Sequence, residues 1–240
     1  MRSGEIRKPP GQAPKTTAAA RGSVPVSPHQ TTAMQQASEF HRFEEFQQML
    51  RALGALRRKT DYRRWAEPRN IYASWESRSR RAAELIPNGS RVIEFGAAKR
   101  VLERHLDPSC TYVPSDIVDR GPGTIVADLN DRPLPDFEPG TYDVAVFMGV
   151  LEYIEELPTL VDWLAERFPT CVASYACAPA NAHALRAARE KVMRLQHGWM
   201  NSYTDGELRS LFTDRGYVCR HEESWENQRM FVFSQLPSSS

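Results

Sequence analysis

Three acidic residues fall where an open α/β sheet would hold a ligand. Glu94 lies inside the apolar run Arg91–Phe95, Asp116 follows the run Thr111–Ser115, and Asp128 follows Thr124–Ala127. The first run leads into Gly96-Ala97-Ala98-Lys99-Arg100, a small-residue turn of the kind that lets backbone approach a ligand closely. In such sheets ligands lie just beyond the carboxyl ends of the strands. A carboxylate at Asp116 has the capacity to accept both hydroxyls of a ribose through charge-assisted hydrogen bonds. At Asp128 a carboxylate, or the backbone beside it, would meet an adenine amino group, with Ile117 and Leu129 offering apolar faces to the ring. Each acid alone also fits a turn former, and the small-residue turn alone fits a tight strand-to-helix connection. Their succession along the chain is what points to a nucleoside. A dinucleotide fingerprint would need glycine at Ala98 and Val101, so a nicotinamide-dependent oxidoreductase is disfavoured.

The elements that must position these residues follow from the pattern after Gly89, where short apolar runs alternate with helical segments. Strands are expected at Arg91–Phe95, Thr111–Ser115, Thr124–Ala127, Tyr142–Phe147 and Thr170–Ser174. Helices are expected at Ala98–Leu106, Leu157–Arg167 and His183–Leu195. Thr204 with Glu207 three residues on reads as a capping box, opening a helix that stops before Gly216. Tyr217–Trp225 and Gln228–Phe233 read as two strands joined at Glu226-Asn227. This order predicts an α/β fold, a Rossmann-like, mainly parallel sheet with helices on both faces and a C-terminal antiparallel hairpin, over residues 89–236.

Through Val92-Ile93-Glu94-Phe95-Gly96-Ala97-Ala98-Lys99-Arg100, Ser115-Asp116-Ile117-Val118, Val126-Ala127-Asp128-Leu129-Asn130 and Tyr142–Ile154, taken in that order, the chain resembles the class I S-adenosylmethionine-dependent methyltransferases. The resemblance spans Arg91 to Phe233. It implies that the turn, through Glu94, Gly96 and Ala98, lies against the amino-acid part of the cofactor. It also implies that Asp116 takes the ribose, that Ile117 and Leu129 flank the adenine, that Asp128 reaches its edge, and that Met148-Gly149-Val150 lines the pocket. The chain departs from the family where the second and third glycines of the turn stand as Ala98 and Arg100.

Ahead of this region, residues 1–37 hold five prolines and no aromatic residue, too little apolar surface to offset ordering entropy, and an unstructured tail is expected. Residues 38–88 are expected to form helices packed on or capping the domain. Phe40, Phe43, Phe46, Leu50 and Leu53 recur at helical spacing, with Glu44, Glu45, Gln47 and Gln48 opposite. A second helix is expected after Pro68, through Tyr72, Trp75, Ala82 and Ile86. Arginines crowd this stretch, among them Arg63, Arg64, Arg78, Arg80 and Arg81, and fit either a solvated face or an anion-binding rim.

The formal net charge of +1 supplies no global field toward nucleic acid or an anionic membrane. Cys110, Cys171, Cys177 and Cys219 form no CxxC pair or zinc spacing, so no metal site is expected and a cytoplasmic setting fits. No apolar run approaches the roughly eighteen residues of a membrane span. Neither HExxH, GxxxxGK nor GxSxG occurs, and no Asn-Pro-Pro-Tyr follows the fourth strand, which disfavours amino-group methylation of adenine or glutamine. Methyl transfer from a sulfonium requires alignment of the reacting atoms, and a base only where the acceptor must lose a proton. Glu152, Tyr153, His197 and Tyr203 lie near the expected mouth, with Trp199 as a wall, and the sequence assigns the catalytic role to none of them. The expectation is methyl transfer to a small-molecule acceptor, such as a sugar or secondary-metabolite hydroxyl. A non-catalytic scaffold of the same fold and an RNA or protein methyltransferase are the alternatives.

Overall fold

The computed structural model describes residues 28–72 and 75–236, with side chains from His41 onward. Residues 1–27 of the expected tail, and the side chain of Phe40, lie outside the described residues. The chain divides into two compact units, Met1–Phe43 and Glu44–Ser240, and the second contains the sheet. Among the described residues no helix is long and apolar enough to cross a membrane.

Seven strands form one sheet: β1 (Arg91–Phe95), β2 (Thr111–Asp116), β3 (Ile125–Val126), β4 (Val144–Met148), β5 (Thr170–Tyr175), β6 (Tyr217–Trp225) and β7 (Gln228–Gln235). Their spatial order is β3-β2-β1-β4-β5-β7-β6. The first five run parallel, and β7 pairs antiparallel with both β5 and β6. The expected Rossmann-like sheet with its terminal hairpin is therefore present. Sequence order reverses between β1 and β4, which opens a crevice at their carboxyl ends, the usual ligand position in such sheets.

Alternation along the strands divides the core between the two faces. On one face Ile93, Phe95, Ala145, Phe147, Cys171, Phe231 and Phe233 pack with helices α4 (Leu157–Arg167) and α6 (Asp205–Thr213). The other face is closed by Val92, Val144, Val146, Val172 and Val232 with Ala82, Ala83 and Ile86 at the end of α3 (Glu76–Glu84). Thr204 and Glu207 form the expected capping box at the start of α6. Helix α5 (Ala184–His197) ends at Gly198, whose φ of 82° only glycine adopts freely.

Two expectations are corrected. Ala98–Leu106 is not a helix: Ala98 and Arg100 have φ of 47° and 53°, left-handed values that break a right-handed helix, and only a 3₁₀ turn at Leu102–Arg104 follows. Helix α3 packs against that turn and fills the space on the sheet face. The helix after Pro68 is likewise shortened to a 3₁₀ turn, Pro68–Asn70, and α3, with a five-residue helix α2 (Tyr62–Ala66) ahead of them.

Helix α1 (Pro28–Leu56) begins ahead of Ser38, where the apolar pattern starts. Its burial runs against that pattern. Phe46, Leu50 and Leu53 are exposed, Phe46 by 51%, whereas Gln47, Gln48, Arg51 and Ala55 turn inward. The small Ala55 allows close approach where the larger apolar residues would not fit.

Phe95 is the hub of the aromatic core, stacked on Phe147 at 4.9 Å and edge-on to Trp163 and Phe168 at 5.9 and 6.2 Å. Truncation to alanine leaves a cavity that these rigid rings cannot collapse. Phe95→Ala is expected to cost about 3–5 kcal/mol, read as a lowered urea midpoint at unchanged m-value.

Candidate functional site

A cavity of about 840 Å³ opens at the crevice between β1 and β4. Glu94, Gly96, Ala98, Asp116, Ile117, Asp128, Leu129 and Met148 all line it. These eight residues come from four strand ends, and the parallel register brings them together.

The turn after β1 is held by backbone geometry. Gly96 has a φ of 70°, and a Cβ on it would lie 2.5 Å from Val150 Cγ2. Ala98 and Arg100 adopt the left-handed conformation that glycine would take at the same places. The turn thus keeps its shape without its second and third glycines. Asp116 fixes it: the Ala98 N–H donates to Asp116 Oδ2 at 2.9 Å. The other oxygen, Oδ1, accepts from the Val118 N–H and from Arg120 Nη2, each at 3.2 Å. Arg120 also donates Nη2 to the Trp65 carbonyl at 2.8 Å, which ties α2 to the same carboxylate. Asp116 is 5% exposed, so its charge rests against a close cation and backbone donors.

Asp128 is engaged similarly. Its Oδ1 accepts the Asn130 N–H at 2.9 Å, and its Oδ2 accepts the Tyr62 hydroxyl at 2.7 Å. That bond to a carboxylate, with partial burial and the nearby Asp131, holds the Tyr62 phenol well above its usual range. Asn130 Nδ2 in turn donates to Thr60 Oγ1 and to the Tyr153 carbonyl.

Glu94 is 3% exposed and accepts the Tyr112 hydroxyl at 2.6 Å. Burial pushes its carboxyl up to about 8, against the opposing pull of the Tyr112 bond and the Arg78 charge. Arg78, from α3, donates Nη1 to Gln228 Oε1 at 2.8 Å and Nη2 to the Met148 carbonyl at 2.9 Å. Its Nε is buried without a partner, and burial lowers its pKa. Both acceptors are neutral, and among the described residues no carboxylate makes an ion pair with this guanidinium; Glu152 and Glu94 act on it only from further off, so its burial costs free energy until an anion arrives.

The far side of the cavity is aromatic. The Arg64 guanidinium lies over the Trp65 ring at 4.5 Å and donates to the His197 carbonyl at 2.6 Å. Trp65 meets Tyr153 edge-on at 5.2 Å. Glu152, Tyr153, His197 and Trp199 line the cavity, while Tyr203 packs against the core and donates its N–H to the Tyr175 hydroxyl. His197 is exposed, with Nδ1 2.8 Å from the Met193 carbonyl, so Nδ1 is the protonated nitrogen.

Sequence reading missed Tyr62, Trp65, Arg78, Arg120 and Gln228, all of which line the cavity or hold its acids. Arg120 carried a signal, four residues beyond Asp116. Arg78 did not stand out among its arginine neighbours.

Between pH 4.5 and about 8 the folded chain keeps a proton on Glu94 that the unfolded chain has released. Stability is therefore expected to fall as pH rises through that window, and Glu94→Gln should flatten the fall, both measured by denaturant unfolding at a series of pH values. At the turn, Gly96→Ala meets both the positive φ and Val150. A loss of about 1–3 kcal/mol is expected, against no loss for Ala98→Gly, by thermal unfolding of the two variants.

The family model described as a methyltransferase domain matches residues 62–222. No curated protein matches the chain. Among solved structures, a candidate O-methyltransferase of Nostoc punctiforme aligns at 13% identity with a TM-score of 0.56, over 72% of this chain and 60% of that one. CalO1, a methyltransferase of calicheamicin biosynthesis solved in its SAH-bound form, aligns at 19% identity and 0.51, over 70% and 55%. The mitomycin 7-O-methyltransferase MmcR aligns at 12% identity and 0.51, over 70% and 56%. The chain thus spans less than two thirds of the length of each, and at these identities the likeness establishes the fold. With the family model covering well over half of its length, strand order and cavity included, the chain belongs to the methyltransferase-domain family.

Proposed function

We propose that this chain transfers a methyl group from S-adenosylmethionine to a small-molecule acceptor, a sugar or secondary-metabolite hydroxyl being the class favoured. The observation that carries the reading is the arrangement of the cavity. Asp116 and Asp128 stand at the ends of β2 and β3, the Gly96 turn ends β1, and the unpaired Arg78 cation reaches across Gly149 at the end of β4. Those groups fit an adenosine carrying a zwitterionic amino acid. Asp116 would hold the ribose, Asp128 the adenine edge, Ile117 and Leu129 the ring faces. Glu94, Gly96, Ala98 and Met148 would surround the amino-acid part, with Arg78 as counter-ion to its carboxylate.

When bound, the cofactor supplies a methyl carbon made electrophilic by a sulfonium. The chain's own residues do the rest by placement: the sheet edge fixes the nucleoside, Trp65, Tyr153 and Trp199 wall the acceptor, and α2 and α3 exclude water. We assign residues 89–236 to the methyltransferase domain, with 38–88 as its helical cap. Neighbours of known pathway, CalO1 and MmcR, support a small-molecule acceptor. Arginines of the basic stretch support a nucleic-acid partner less well, because Arg58, Arg64, Arg78 and Arg81 are engaged internally.

One observation favours a second reading, a non-catalytic domain of this fold: Asp116 and Asp128 already have partners in Arg120 and Tyr62. Calorimetric titration with S-adenosylhomocysteine separates the two. Micromolar binding is expected, weakened at least tenfold by Asp116→Ala. Arg78→Met should weaken S-adenosylhomocysteine to the level of 5′-methylthioadenosine, which lacks the amino-acid end, and leave the latter unchanged. Absence of binding by either ligand would establish the non-catalytic reading.

A further inference from the structure

The carboxylates around the cavity are not equally occupied. Asp116 is held by Arg120, Asp128 by Tyr62 and the Asn130 N–H, Glu94 by Tyr112, and Glu190 by Arg194. Glu76 at the rim lies near Arg104 and His105 and Glu226 is exposed to water, so Glu152 is the exception among the buried carboxylates. It is 1% exposed, and its Oε1 accepts the Ala176 N–H at 2.8 Å and lies 3.4 Å from Gln228 Nε2. Its Oε2 is buried with no hydrogen-bond partner. Neither nearby cation serves it, since Arg194 pairs with Glu190 and Arg78 donates to neutral acceptors. An open acceptor site on a buried carboxylate is costly, by about 1–3 kcal/mol for the missing bond alone.

Position along the sheet edge says what would fill it. The nucleoside-end acids belong to β2 and β3, and the glycines Gly96 and Gly149 to β1 and β4. Glu152 lies one step further, in the 3₁₀ turn after β4, with its carboxylate against the end of β5. On that side the cavity is lined by Ala176, Cys177, Trp199 and Gln228. A ligand with its adenosine over β2 and β3 and its amino acid toward β1 and β4 would place its sulfur at the carboxyl ends of β1 and β4, in the cavity that Glu152 also lines.

Resting on the methyltransferase reading, we propose that Glu152 Oε2 is the proton acceptor at the reacting centre, so that the acceptor is a neutral hydroxyl compound. As the hydroxyl oxygen forms its bond to the methyl carbon, the carbon–sulfur bond breaks and its electron pair returns to sulfur, leaving a neutral thioether. The hydroxyl proton passes to Glu152. Charge balances: the cation lost at sulfur is matched by the carboxylate neutralised. The polar groups around Glu152 suit this. Burial pushes its carboxyl up, with Arg78 on α3 and Arg194 on α5 opposing, into a more basic state than a solvated carboxylate. Tyr153, Tyr175 and Cys177 beside it are themselves pushed up by burial and stay neutral.

The test needs no acceptor. S-adenosylmethionine and S-adenosylhomocysteine differ by the methyl group and the positive charge on sulfur, so an ionised Glu152 at the reacting centre favours the former and a protonated one does not. An opposite charge within about 4–6 Å moves a carboxyl pKa by roughly one to three units. Because burial raises the Glu152 carboxyl, the ratio of the two dissociation constants, by calorimetry across the pH range in which the chain stays folded, is expected to shift toward S-adenosylmethionine by about tenfold as pH rises. In Glu152→Gln the ratio should be flat, and Glu152→Asp should restore part of the dependence. Glu94, pushed up to about 8 by burial, also titrates as pH rises. A dependence that survives Glu152→Gln and disappears in Glu94→Gln overturns the assignment, as does a flat ratio in the unmodified chain. Absence of binding by both ligands overturns the methyltransferase reading itself.

Discussion

The Asp116 carboxylate is the point on which the site depends. It closes β2, holds the turn after β1 through the Ala98 N–H, and binds Arg120, which reaches on to the Trp65 carbonyl. Three segments that share no local sequence are thus fixed by one nearly buried charge. Remove it, and the turn loses the acceptor of its Ala98 N–H, while Arg120 becomes a buried cation without a counter-ion. The same group is the proposed ribose ligand, so ligand binding and the order of the N-terminal segment are coupled through one side chain.

Burial of charge without pairing is the second theme, and among the described residues Arg78 and Glu152 at the cavity show it. Most arginines elsewhere sit in surface ion pairs such as Arg81–Glu223 and Arg215–Asp162, which contribute little individually. Arg78 and Glu152 instead lie deep without pairing directly, each hydrogen-bonded to the neutral Gln228. A protein selected for stability alone would bring them together or replace both with apolar residues. Held apart, each keeps open hydrogen-bonding capacity facing a common space, which is the condition for receiving a polar ligand.

Much of this was legible in the chain. Strand β1 falls where the apolar run places it, β2, β4 and β5 within a residue or two, and the capped helix α6 opens at Thr204. Short, largely apolar runs between turns leave little choice in a buried parallel sheet. That the acids would line one crevice was legible because they stand in or just after strands that run parallel side by side. Ala98–Leu106 was misread because helical periodicity carries no information about a left-handed backbone, and neither Ala98 nor Arg100 advertises a positive φ as glycine does. In α1 the periodicity was real, but which face turns inward is decided by fit against the rest of the chain, which favours Ala55 over Phe46 and Leu50. The parts played by Tyr62 and Arg78 rest on contacts between segments far apart in sequence. Local pattern cannot report those.

The N-terminal elements then have a chemical reason for their composition. An open sheet edge alone leaves a ligand exposed on one side, and water there would weaken every electrostatic contact in the cavity. Tyr62 and Trp65 from α2 and Arg78 from α3 supply the missing wall, each by a bond or ring contact to a residue at a strand end or just beyond it. Those bonds also occupy the carboxylates at the nucleoside end. A ligand entering there has to share Asp128 with a phenol and Asp116 with a guanidinium, and a carboxylate with about four acceptor sites permits sharing without displacement. Entry and enclosure are thereby made compatible, because the donors that close the cavity leave room on the same oxygens for the donors of what it encloses.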